Sequence, residues 1–81
     1  METIGNQITS DQKEATAIIV MRCMLLAYAE KQHIPFEDAL LSFSQSKTYE
    51  ALFDLDTEIW KESPEYLRCL YEEELHDTVH P

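Results

Sequence analysis

Apolar side chains fill most positions from Ala15 to Ala29, and they recur at helical spacing instead of alternating. At about 100° per residue, Ala15, Ile18, Ile19, Leu25, Leu26 and Ala29 fall within about 120° of one another. This stripe is expected to face the core. The opposite side is apolar too: Ala17, Val20, Met21, Met24 and Tyr28 gather there, flanked by Lys13 and Lys31. A helix that is apolar all round normally lies at the centre of a larger core. A chain of 81 residues can hardly wrap one helix on every side. Either the other helices surround it, or the second face meets another chain. Methionine and tyrosine are common on contact surfaces, so Val20, Met21, Met24 and Tyr28 are the candidate interface.

The punctuation along the chain predicts an all-α fold, a small bundle of about four helices around the long first one. Thr9 or Ser10 can cap that helix, with Gln12 as capping-box partner to Thr9. It should run from about Asp11 to Gln32 and stop at Ile34-Pro35, because a residue before proline avoids the α region. His33 reads as a helix-end residue set against the dipole. Pro35 suits the first position of a second helix carrying Phe36, Ala39, Leu40 and Phe43 and ending near Gln45. Ser46 can cap a short third helix with Tyr49, Leu52 and Phe53. Residues 54–57 read as a turn, followed by a brief turn with Ile59 and Trp60. Ser63-Pro64-Glu65 starts a last helix, expected over Pro64 to Leu75, with Tyr66, Leu67, Leu70, Tyr71 and Leu75 along one side. The domain is therefore expected over 9–75, between a flexible lead at 1–8 and a flexible tail at 76–81.

Two charges break the apolar faces. Arg22 falls near the middle of the expected core stripe, and Glu74 is bracketed by Tyr66, Leu67, Leu70 and Tyr71. A charge on a core face is costly unless paired. Arg22 and Glu74 are the candidate structural ion pair, with Asp54 or Asp56 as second choice. The alternative is that Arg22 snorkels its head group to water.

Charge narrows the function classes. The chain carries 16 acids against 6 bases, net −10, and residues 48–81 hold ten of the acids and two of the bases. Such a chain repels phosphate, which argues against direct nucleic-acid binding, and it favours basic surfaces or cations as partners. The run from Ala15 to Ala29 contains Arg22 and is too short to cross a bilayer. Cys23 and Cys69 lie in predicted helices beside apolar residues, without CxxC spacing, and read as buried thiols of a reducing cytoplasm.

No catalytic or cofactor motif stands out. His76 and His80 have the i, i+4 spacing of a metal pair but lie in the expected tail, and zinc needs three or four ligands on a rigid frame. Residues 54–58 resemble half a calcium loop but lack its glycine and distant glutamate; the only glycine is Gly5. Glu72, Glu73 and Glu74 are successive on a helix and point apart, and no glycine-rich elbow serves a nucleophile. The expectation is a non-enzyme without metal or cofactor.

The most distinctive stretch is Lys47-Thr48-Tyr49-Glu50-Ala51-Leu52-Phe53-Asp54, continued by Thr57-Glu58-Ile59-Trp60 and Ser63-Pro64-Glu65-Tyr66-Leu67. The region from about Ala27 to Leu75 resembles small uncharacterised bacterial helical proteins, some of which accompany a second gene in toxin–antitoxin-like pairs. The resemblance implies a companion role and no particular site residues. Together these readings point to a noncatalytic interaction domain of the bacterial cytoplasm, which forms a homodimer or binds a partner protein. The alternative is an acidic mimic of nucleic acid that occludes a basic protein site.

Overall fold

The N-terminal cap forms as its residue types dictate. Thr9 Oγ1 accepts from the Gln12 N–H at 3.1 Å, and the Gln12 side chain accepts from the Thr9 N–H at 3.0 Å. This capping box opens α1, Ser10–Gln32. A computed structural model describes the backbone of residues 9–79 and the side chains of residues 9–77. The expected lead, residues 1–8, falls outside that range.

His33 closes α1 in the left-handed region, at φ 59. Its N–H donates to the Glu30 carbonyl at 3.2 Å, and the Ile34 N–H to the Ala29 carbonyl at 3.0 Å. That pair of bonds is a Schellman motif, which usually has glycine where His33 stands. The residue therefore ends the helix through its backbone.

Pro35 caps α2, Phe36–Ser44, rather than opening it, and Ser46 caps α3, Lys47–Phe53. Two short 3-10 turns follow, Leu55–Thr57 and Ile59–Lys61, separated by Glu58 at φ 61. The last helix, α4, runs Pro64–Val79, one turn beyond the expected end at Leu75. The expected tail at 76–81 is thus helical as far as Val79. The four helices, without a strand among the described residues, make a small all-α bundle.

α1 packs mainly on α4 and the second 3-10 turn, and α2 folds back along it. Phe43, Leu52, Trp60, Leu67 and Tyr71 converge on Met24 and Leu25 in one core. Aromatic rings run through it edge to face: Tyr28 on Tyr71 at 5.4 Å, Tyr71 on Phe43 at 4.9 Å, Phe43 on Tyr49 at 5.8 Å. The Trp60 indole N–H donates to the Leu55 carbonyl at 3.0 Å, so this buried donor is satisfied.

The molecule is elongated, 51 × 27 × 18 Å, and its radius of gyration of 14.2 Å exceeds the roughly 12 Å of a compact chain of this length. Eighteen ångströms accommodates two helix layers, whose axes lie about 8–10 Å apart. Two layers cover one side of α1 and leave the other to solvent.

Candidate interaction surface

The two faces of α1 have the opposite roles to those read from the sequence. Val20, Met21 and Met24, expected to meet another chain, are buried in the chain's own core, and Tyr28 is half-buried against Tyr71. The stripe expected in the core lies largely outside: Ile18 is 41% exposed, Ile19 61% and Leu26 54%, and Ala15 is exposed beside them. Only Leu25 and Ala29 of that stripe, both in the C-terminal half of the helix, are buried. Arg22 favours this arrangement. Burying its face would have desolvated a guanidinium in mid-stripe, whereas the face with Val20, Met21 and Met24 carries its charges, Lys13 and Lys31, only at its two ends, where Trp60 and Glu72 meet them. Arg22 in mid-stripe was a hint in the sequence, and the packing of α2, α4 and the 3-10 turns decided the outcome.

The proposed pairing of Arg22 with Glu74 is corrected in the same way. Arg22 is exposed and enters no ion pair found among the described residues. Glu74 instead caps α3 from a distance. Its Oε2 accepts from the Lys47 N–H at 2.8 Å, and its Oε1 accepts from the Thr48 N–H at 2.8 Å and the Thr48 hydroxyl at 2.6 Å. Ser46 Oγ takes the next N–H, from Tyr49, at 3.0 Å. All three leading N–H groups of α3 are thereby occupied. Burial pushes the Glu74 carboxyl up, but the Thr48 hydroxyl, the two backbone donors and the Lys47 charge outweigh it and hold the group below the ordinary glutamate value. The Tyr28 and Tyr71 hydroxyls are pushed the other way, above the usual tyrosine value. Burial is the main cause for both, joined by the charge of Glu72 at Tyr28, and at Tyr71 by Tyr28 and the charge of Glu74.

Both cysteines also differ from expectation. Cys23 and Cys69 are free thiols on the surface. Cys23 turns outward with Ile19 and Leu26 because the faces of α1 are exchanged. Together with Met24, Ala27, Pro64, Glu65 and Arg68 it lines an open hollow. Cys69 borders another open hollow with Glu72, Glu73, His76 and Asp77. Among the described residues no group of three or more His, Cys, Asp or Glu is placed to hold a metal ion. His80 lies outside them. No helix among the described residues is long and apolar enough to cross a membrane.

In the acidic half, Lys61 pairs with Glu58 at 3.1 Å across the second 3-10 turn, and the other ion pairs among the described residues gather on α4. Arg68 lies 3.7 Å from both Glu65 and Glu72, and Lys31 of α1 lies 3.5 Å from Glu72. Glu73 and Asp77 are exposed on the same helix. α1 is different in character: Asp11, Glu14 and Glu30 balance Lys13, Arg22 and Lys31, so it is neutral within a protein of net charge −10. Lys13 sits 5.7 Å from the Trp60 ring as a cation–π contact at the edge of the core.

Comparison of the chain with protein-family models, with curated proteins and with solved structures gave no match in any of the three. The residues and their geometry carry the functional reading.

Proposed function

We propose that this protein is a noncatalytic protein–protein interaction domain and that the outer face of α1 is its docking surface. The carrying observation is the exposure of Ile18, Ile19 and Leu26 on one side of a single helix, around Arg22. An apolar patch crossed by arginine is a common composition for a contact surface. The acidic residues of α4 belong to the other layer and complement a basic surface on a partner. One concrete form of this role is a companion subunit in the bacterial cytoplasm, antitoxin-like in that it acts by binding a second protein.

The test compares affinity-tagged wild type with Ile19→Asp/Leu26→Asp, after circular dichroism confirms equal helicity. Crosslinking and mass spectrometry then read which contacts form in cells. Crosslinks from α1 that are present in wild type and lost in the variant support the reading. A contact set unchanged by the variant but lost in salt and on neutralising Glu73 and Asp77 overturns it in favour of the acidic mimic.

A further inference from the structure

We infer that the occupant of the outer face of α1 is a second copy of this chain, crossing antiparallel about a two-fold axis at Ile18. This rests on the interaction reading above and names its partner. Glu14, Ile18, Arg22 and Leu26 are spaced four apart and form one ridge of α1. Ridges of this class interdigitate when two helices cross at about −50°. With Ile18 on the axis, Glu14 of each copy faces Arg22 of the other, four residues either side of the crossing. A parallel pair would set Arg22 against Arg22 and Glu14 against Glu14. Within one copy, neither Glu14 nor Arg22 enters an ion pair found among the described residues, so both charges are available to the other copy. Ala15, beside the ridge, is small enough to let the backbones approach, and Ile18 and Ile19 supply apolar surface at the crossing.

The charge distribution selects a second copy for this face over a basic partner. Two molecules of net charge −10 repel on most approaches, but α1 is neutral. The elements that carry the acids of residues 48–81 pack on its inner face, with Glu65 at the edge beside Cys23 and Ala27. Meeting through α1 holds the two acidic fields far apart, and screening weakens what remains beyond about 10 Å at ordinary ionic strength. A basic partner would be drawn to α4 instead.

Light-scattering mass and sedimentation across a micromolar concentration series test the proposal on the full chain. The mass is expected to rise from 9.5 kDa toward about twice that value. Ile18→Asp, at an exposed site, keeps the helicity and removes the dimer. Glu14→Arg alone and Arg22→Glu alone weaken association on the order of tenfold, because each turns two attractions into repulsions, and the double exchange restores it. In a Cys23→Ser/Cys69→Ser background, Ile18→Cys oxidises to a symmetric disulfide-linked dimer, whereas Leu41→Cys does not. A single-chain mass at every concentration overturns the proposal, whether another protein or residues 1–8 then cover the face. A dimer indifferent to Ile18→Asp, or one not rescued by the double exchange, overturns it too. Loss of the dimer with α1 crosslinks to other proteins retained would leave the interaction reading standing.

Discussion

His33 holds φ 59 without being glycine, and a side chain with a Cβ adopts that conformation at a cost of roughly 1 kcal/mol. His33→Gly should therefore raise the unfolding free energy by about 0.5–1 kcal/mol in urea denaturation, with the Schellman bonds intact. Glu74 makes the opposite kind of contribution. Removing its carboxylate in Glu74→Ala leaves two backbone N–H groups and a hydroxyl without their acceptor, and should lower stability by about 1–2 kcal/mol. The pH dependence follows from the sign of its shift. A carboxyl held below its unfolded value of about 4.3 contributes stability that is complete above that pH, and the contribution is lost as pH falls through the folded value. An acid titration followed by circular dichroism should show a shallower stability loss in Glu74→Gln than in wild type. Glu74 was legible as a charge on an apolar face, but its partner was not. A carboxylate at residue 74 serving N–H groups at 47 and 48 has no local spacing to reveal it.

At the scale of elements, the decisive feature is how α1 is mounted. Met24 is fully buried and Ile19 is exposed, although both were apolar residues of one helix in the sequence. Met24→Ala should cost about 2–4 kcal/mol of unfolding free energy, as expected for a cavity in a packed core. Ile19→Asp should change it by no more than about 0.5 kcal/mol, measured in dilute solution where association does not contribute. Equal losses at the two positions would contradict this mounting of α1. The element boundaries themselves were largely readable. Thr9 with Gln12, Ser46, Asp54 and Pro64 each stand at a helix or turn start because short polar side chains and proline serve the free N–H groups there. The end of α4 was misplaced because no glycine or proline stops it before Pro81.

For the whole molecule, charge and shape act together. A net charge of −10 in 81 residues strains the folded chain through self-repulsion, and the two-layer form exposes more apolar surface than a rounder bundle would. Screening should relieve the first effect. Raising sodium chloride from about 20 to 300 mM is expected to increase the melting temperature by about 2–6 °C in a calorimetric scan, with dimer and monomer concentrations held comparable. A fall in melting temperature would mean that the attractions of Lys31 and Arg68 for Glu72 outweigh the net repulsion.

The sequence by itself determined the helical class, the order and caps of the helices, the acidic second half, and the presence of more apolar surface on α1 than one core needs. These follow from local spacing, capping chemistry and charge, which act over a few residues. Tertiary structure alone decided which face of α1 is inside, that Cys23 and Cys69 lie on the surface, and that Glu74 serves α3 while Arg22 stays in water. Each depends on what α2, the 3-10 turns and α4 place against α1. With two apolar faces available, the chain buried the one whose charges, Lys13 and Lys31, stand at its ends, and left the one with Arg22 at its centre outside.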